Sequence, residues 1–463
     1  MKINRQTAHL IIALLAISAP FATLPVAAQT QARALTQPRP QLQVQAQNNV
    51  MTLEDAIQRA LERNETSLAA DQTYAQYSAL VTEARAFFLP QITASGVYTR
   101  RPFQVVREFQ GSQIAVQRYN ALSGVLGLNM TLFDPYNLPN YRSARSAQTA
   151  QMYASAETKR QLAFEVGNAY LTTLGVDQVL VASQHRYEYA KQSLDAAKAR
   201  YKAGLVGVND VTRSELEFAT AEMGVTQVKG QVQTTHLQLG YLLDDPDILQ
   251  RTLEVPDFLL KAAEEAGFSV GQSITEAQDR RLDLNSLRWT ASAQQALTLT
   301  PTLRWFPALA LTGQYRYTNE SGLTGRSTNW NVGATLTWAL FDGFSRNGQY
   351  GEYKALAKLA DLNVQQTMRQ VELQVREGLV SLENQRAALK QAVVAHDAAV
   401  RNATEVAELY RQGLASALEA ADANVSMFEA EVTLVRERYG LAIAYLNFEA
   451  ALGLDPFGKE PKL

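Results

Sequence analysis

The chain has 463 residues, a formal net charge of −2 and 19% charged side chains. That balance offers neither the basic surface of a nucleic-acid binder nor an acidic disordered tail, so no DNA or RNA partner is expected. Cysteine is absent, which removes disulfides, thiolate metal sites, a cysteine nucleophile and a lipidated amino-terminal cysteine.

In chain order, Lys2 and Arg5 precede the apolar run LIIALLAISA, and small residues follow up to Ala28. This is the layout of a secretory signal over residues 1–28, with an apolar run too short for a comfortable membrane anchor. Residues 29–50 are rich in Gln, include Pro38 and Pro40, and read as a flexible leader, with folded structure expected from Met51. No later stretch is long and apolar enough for a transmembrane helix.

The remainder is duplicated. RYKAGL, ending at Leu205, returns as LYRQGL, ending at Leu414; LFD at 132–134 returns at 340–342; Asp245-Pro246 returns as Asp455-Pro456, all at an offset of about 210 residues. Leu89-Pro90 and Phe306-Pro307 match at a slightly larger offset. The first repeat, 51–245, opens a helix at Thr52 with a capping-box-like Asp55, and Pro90 ends it. A β-hairpin over 91–133, a long helix over 140–204 and a return helix over 207–243 follow, then a linker over 246–272. The second repeat, 273–456, reads as a helix from Ser273 or Ile274 that stops before Pro301 and Pro307, and a hairpin over 308–341. A long helix over 346–413, a return helix over 416–452 and a tail over 457–463 complete it.

In WNVGATLTWAL, Trp330, Val332, Ala334, Leu336, Trp338 and Leu340 fall on one face, with Asn331, Gly333, Thr335 and Thr337 on the other. LALTGQYRYTN, LSGVLGLNMTL and, more weakly, QITASGVYT alternate in the same way, giving four strands. Aromatic residues near the strand ends suit a membrane barrel with girdles, although a small soluble sheet capping a helical body also alternates. Four strands cannot close a barrel in lipid, so a membrane location requires oligomerisation. Three chains, giving twelve strands, are the smallest assembly expected to leave a passage.

No proline occurs between Asn140 and Gly204 or between Arg346 and Gly413. Helices of that length extend about 100 Å. In the second, Val371, Val375, Leu379, Leu382, Leu389, Val393, Val400, Ala403, Ala407 and Tyr410 are spaced by sums of threes and fours, the mark of a supercoiling seam. Alanine on the other faces fits helices with neighbours on both sides, and fits simple helix propensity equally. Gly204 and Gly413 suit left-handed helix ends, which makes the two opening motifs hairpin tips with Leu205 and Leu414 just beyond. His185, His236 and His396 show no ligand spacing, and no phosphate loop or nucleophile motif occurs. No enzymatic activity, metal or cofactor is expected.

FLP and WFP before the hairpins, LFD before both long helices, and YKAGL and YRQGL at the tips make the chain from Thr52 to Pro456 resemble the outer-membrane efflux proteins, the TolC-like channels of Gram-negative envelopes. The resemblance implies a mixed α and β fold: a trimeric, twelve-stranded β-barrel in outer-membrane lipid, continuing into a long periplasmic α-helical coiled-coil barrel, with the linker at its waist. It implies a homotrimer acting as a passive duct for efflux or type I secretion, docked by a periplasmic adaptor and served by an inner-membrane transporter. Carried over residue by residue, it makes Glu419 and Asp422 acids of the periplasmic entrance, and Asp210 and Tyr410 a pair that links neighbouring hairpins and holds the entrance closed. Gly204, Leu205, Gly413 and Leu414 become the adaptor contacts.

One position departs from the pattern. Ala415 stands where an arginine usually joins the closing network, leaving Arg213 or Arg411 as substitutes. Read without the resemblance, Glu419 and Asp422 are ordinary acids near a helix N-terminus, where they are favoured anyway. The rival function is a structural or adhesive coiled-coil envelope protein, which accounts for the long helices but not for hairpins at equivalent points of both repeats.

Overall fold

The computed structural model describes residues 50–109, 111–320 and 326–461; the expected signal and nearly all of the leader lie outside them. The chain enters through β1 (Val50–Met51), so Val50 belongs to the folded body rather than to the leader. Thr52 Oγ1 accepts the Asp55 amide at 3.1 Å and starts α1 (Leu53–Arg63). The single helix expected up to Pro90 is broken at Asn64, whose side chain accepts from the Thr66 amide at 2.9 Å and donates to the Leu242 carbonyl at 3.0 Å. It thereby caps α2 (Glu65–Ala86) and ties the break to a distant helix.

The strands β2 (Gln91–Arg100) and β5 (Asn120–Phe133) are separated by a second hairpin, β3 (Val105–Phe109) and β4 (Ser112–Gln117). The expected 91–133 hairpin did not include it, because VVREF and SQIAVQ lack a clean apolar alternation. The long helix α3 (Asn137–Lys202) starts before the expected residue 140. Asp134 accepts from the Tyr136 amide at 3.1 Å and from Asn137 Nδ2 at 2.8 Å, and Pro139 falls in the first turn, where its missing donor matters least. The return helix is α4 (Val208–Leu243).

The linker over 246–272 is folded: β6 (Thr252–Leu253) pairs in parallel with β1, and α5 (Asp257–Glu265) buries Leu259, Leu260 and Ala263. The helix expected from residue 273 is three helices, α6 (Val270–Arg280), α7 (Leu282–Leu297) and α8 (Leu299–Leu303). The first break sits at Arg281, held by Asp283 at 2.7 Å, and Pro301 occupies the first turn of α8. After β7 (Ala308–Thr318) and β8 (Thr328–Thr337) come α9 (Ser345–Arg411) and α10 (Ala417–Leu452). Trp338 and Leu340 lie beyond β8, and Trp338 Nε1 donates to the Trp305 carbonyl at 3.0 Å. Asp342 accepts the Arg346 amide at 3.1 Å and pairs with Arg346 Nε at 2.8 Å, and the guanidinium rests 3.8 Å from the Trp305 ring. Both LFD aspartates therefore start long helices directly below the sheet. The tail also packs, with Phe457 stacked on Phe258 at 6.2 Å.

The main sheet is antiparallel in the order β2-β5-β7-β8, leaving β2 and β8 as edges. Its register aligns Ala94, Leu126, Tyr315 and Trp330 in one row and Ile92, Leu128, Gly313 and Val332 in the next. The rows between them are Thr93, Gly127, Gln314, Asn331 and Gln91, Asn129, Thr312, Gly333. One face is apolar and aromatic, the other polar, as the side-chain alternation of a pleated sheet requires. Toward the sheet the helices lie in the order α2, α3, α7, α9; toward the tips the order is α4, α3, α10, α9. Of the expected seam, Val371, Val375, Leu382, Leu389 and Ala403 are buried, whereas Val393 is 42% exposed and Ala392 takes its place. Ala407 is also exposed.

The densest core is at the level of the linker, where Tyr170, Leu171, Leu239, Leu259, Leu382, Leu446 and Phe448 are buried together. Tyr170 Oη meets the carbonyls of Met51 at 2.7 Å and Glu254 at 2.8 Å, fixing β1 and β6 beside α3. Asp245, from the first Asp-Pro pair, is buried between Arg59 at 3.2 Å and Arg251 at 2.6 Å. The Arg251 approach is too bent for a hydrogen bond and acts through charge. Removing the carboxylate strands two guanidinium groups at a buried site, so Asp245→Ala should destabilise the protein by about 3 kcal/mol; a urea midpoint unchanged from wild type would refute this.

Candidate functional site: the hairpin tips

The two tips are built alike. Gly204 has φ +73° and Gly413 has φ +76°. The Leu205 amide donates to the Arg200 carbonyl at 2.9 Å and the Leu414 amide to the Leu409 carbonyl at 2.8 Å. The glycine amides return to Tyr201 and Tyr410 at 2.9 and 3.2 Å. This double closure is a Schellman motif, which requires the left-handed residue that glycine supplies. It turns the next residue outward: Leu205 is 74% and Leu414 73% exposed.

The second tip carries one feature that the first lacks. Ser416 caps α10 by accepting the Glu419 amide at 3.2 Å, while Glu419 Oε2 accepts from the Ser416 amide at 2.7 Å and its hydroxyl at 2.9 Å. These bonds hold the Glu419 carboxyl below the ordinary carboxylate range, the backbone bond contributing most and the hydroxyl next. Glu419 is thus turned back onto its own helix end. Asp422, one turn on, is exposed. In the first repeat Gly207 takes the cap position and offers no side chain, and Asp210 is half-buried in the first turn of α4.

Between the tips the contact is made by a residue that sequence reasoning did not single out. The Arg200 guanidinium lies 4.3 Å from the centre of the Tyr410 ring, and Nη2 donates to the Arg411 carbonyl at 3.2 Å. Within the chain Asp210 and Tyr410 are not joined: the Tyr410 hydroxyl is buried and has no hydrogen-bond partner among the described residues. Within one chain the two candidate substitutes for an arginine at 415 have these surroundings. Arg411 pairs with Glu408, and Arg213 lines a cleft with Arg186, Tyr189, Glu217, Ala421 and Asn424, where Arg186 grips Glu217 at 3.0 and 2.8 Å. The available signal was a difference between repeats: Arg200 precedes Tyr201 where Leu409 precedes Tyr410.

The family model described as outer membrane efflux protein matches residues 56–243 and 273–454. The chain belongs to the outer membrane efflux protein family. The two matched segments of this efflux protein coincide with its two repeats, and the adhesive coiled-coil reading gives way. Among its relatives, nodulation protein T of Rhizobium leguminosarum bv. trifolii is 24% identical over 87% of this chain and 84% of the relative. Outer membrane protein TolC of Salmonella enteritidis is 24% identical over 81% of this chain and 76% of the relative. The crystal structure of the Campylobacter jejuni CmeC outer membrane channel superposes with a TM-score of 0.73 at 19% identity, covering 89% of this chain and 87% of that one.

Two outcomes test the tip geometry of this efflux protein. A Cβ at Gly204 or Gly413 would meet no atom within 4 Å, so alanine there is opposed by backbone strain alone, about 1 kcal/mol at each tip; both variants should be produced in folded form, with faster proteolytic nicking at the altered tip. For Glu419, whose folded pKa is depressed, the cap contributes fully above the unfolded value near 4.5 and is lost as pH falls through the lower folded value. Nicking of the second tip by an acid protease should therefore accelerate progressively as pH falls below about 4.5, and Ser416→Ala should make the tip labile to a neutral protease at pH 7 as well.

Proposed function

We propose that the chain forms a homotrimeric, passive duct whose twelve-stranded barrel crosses the outer membrane and whose helices enclose a periplasmic passage. The observation that carries this reading is that both layers of the protomer end in open edges on the same two flanks. The sheet exposes β2 on one side and β8 on the other, and β8 runs antiparallel to β2, as ring closure requires. The helix layer exposes α4 on one side and α9 on the other. Both carry apolar side chains that are more than half exposed: Val208, Leu216, Met223 and Leu237 on α4, and Leu359, Leu373, Val380 and Val394 on α9. On α9 these fall at multiples of seven, the spacing of a second supercoiling seam. A neighbouring copy on each flank satisfies all four edges.

In such a trimer the apolar sheet face, with Ile92, Tyr98, Tyr315 and Trp330, meets lipid, and the face with Thr93, Gln314 and Asn331 lines the lumen. The tips form the far end of the helical passage. There Leu205 and Leu414, presented by Gly204 and Gly413, are the surface offered to a periplasmic adaptor, through which an inner-membrane transporter supplies the cargo. Asp422 supplies the exposed carboxylate of the entrance, and Glu419 adds charge from its capped position. Within each protomer Arg200 holds the two tips together by stacking on Tyr410, a contact that takes over part of the closing role left open by Ala415. A cation over an aromatic ring contributes about 0.5–2 kcal/mol, enough to bias a gate without locking it.

Planar-bilayer recording tests the reading. The wild-type protein should insert as a trimer and show a small, steady conductance; absence of any conductance from folded protein would refute the duct. Arg200→Ala should raise single-channel conductance several-fold, with Arg200→Lys between the two. Glu419→Ala with Asp422→Ala should weaken block by multivalent cations; unchanged block would remove both acids from the passage.

A further inference from the structure

At the waist, beside the dense core, one carboxyl is buried without the partners that usually accompany such a group. Glu449 stands in the last turn of α10, next to Phe448, and is 4% exposed. Its Oε2 is buried and has no hydrogen-bond partner among the described residues. The segment after α10 folds directly over it. Gly453 ends the helix at φ +79°, and Asp455 Oδ1 then accepts the Phe457 amide at 2.9 Å and the Lys459 amide at 2.7 Å. Gly458, at φ +71°, roofs the carboxyl: a Cβ there would stand 3.0 Å from Glu449 Oε1. Phe457 holds this turn down by stacking on Phe258 of α5.

The cations on the elements packed around Glu449 are committed elsewhere. Arg160 on α3 grips Glu157 at 2.8 Å and donates to the carbonyls of Ala450 and Leu454 at 3.1 and 3.0 Å. Arg281, between α6 and α7, pairs with Asp283, and Arg280 pairs with Glu276 and Glu460. Arg386 on α9 donates to the carbonyls of Ala263 and Ala266. Lys261 on α5 and Lys459 in the tail are exposed, as are Asp257, Glu264 and Glu265 on α5. The charge that bears on Glu449 is that of Asp455, which has the same sign. Burial pushes the Glu449 carboxyl up to about 7; a hydrogen bond with the Tyr445 hydroxyl opposes the rise, and Asp455 adds to it. An ionised carboxylate in this place would lack a counter-charge and would face Asp455 beneath the same turn.

We propose that Glu449 is a proton-operated latch: in its neutral form it holds the 455–459 turn and Phe457 against α10 and α5, and on losing its proton it releases them. The latch lies within one chain and does not depend on the ring. Docked, Glu449 keeps a proton that the released carboxyl gives up above its ordinary value of 4.5. Docking therefore weakens as pH rises from there, and the weakening is complete above about 7. The same helical turn carries Leu446 and Phe448 into the waist core, so the latch acts where the long helices are clamped together.

Hydrogen exchange of the detergent-solubilised full chain tests the latch, read by mass spectrometry on the peptide containing residues 455–459, with Glu449→Gln as a permanently neutral form. Dividing the wild-type rate by the variant rate at one pH cancels the chemical dependence of exchange on pH. That ratio should rise roughly tenfold between about pH 6 and pH 8, while peptides from α1 keep their protection in both proteins. A constant ratio overturns the latch, and equal loss of protection in α1 marks a general loosening and overturns it as well. If the variant does not fold, the wild type decides alone. Corrected for the exchange chemistry of the free peptide, its 455–459 segment should lose protection about tenfold over this range, and unchanged protection overturns the proposal.

Discussion

An unpaired strand edge in hydrocarbon leaves amide and carbonyl groups without partners, at several kcal/mol for each group. The sheet of this protein has two such edges, β2 and β8, and one of its faces is apolar from Ile92 to Trp330. Almost every other feature is compatible with that constraint. Duplication supplies two hairpins rather than one, so the proposed ring needs fewer copies. The helices continue the same flanks downward, so an assembly that pairs the strands also covers the apolar stripes on α4 and α9. In the proposed trimer the ring that closes the edges also serves as the passage.

The passage from sheet to helix turns on two aspartates. Asp134 and Asp342 each follow a strand and each bind the first turn of a long helix, so the strand twist is converted into helix direction within a few residues. The second junction is reinforced by Arg346, which contacts Asp342, Trp305 and the Arg304 carbonyl together. Around it stand Trp305, Trp338 and Phe341, all more than half exposed, as suits a level where polar and apolar surroundings meet. The repeats are equal in topology and unequal in chemistry. The same inequality recurs at the tips, where Arg200 and the Ser416–Glu419 box have no counterpart in the other repeat.

Sequence alone revealed what local geometry demands. Left-handed glycines at 204 and 413, the Thr52 cap, the Leu-Phe-Asp turns and the alternation around Trp330 are legible because each is specified by residues a few positions apart. The breaks at Asn64 and Arg281 are not, since they depend on Leu242 and Gln374, far away in the chain. The two-residue strand at Thr252 exists only because β1 lies beside it, and Val393 gives way to Ala392 through a drift in helix phase too small to read from spacing. At the site the difference is the same: the Ser416–Glu419 cap is made by residues three positions apart, although the sequence reading took Glu419 only as an acid near a helix start, whereas stacking of Arg200 on Tyr410 depends on how two distant tips lie together.

The placement of the dense core has a mechanical consequence. On α3 the last large buried cluster centres on Tyr170 and Leu171, and from there to Lys202 the helix runs on for about 45 Å at 1.5 Å per residue. A rigid rod pivoting at that level by roughly 10° swings its free end by about 8 Å, more than a side chain's reach. Torque grows with distance from the fulcrum, so one weak contact at the far end resists rotation as well as a much stronger one near the waist. In the proposed ring, such levers would be moved by a small load applied at the ends, with no rupture of the core.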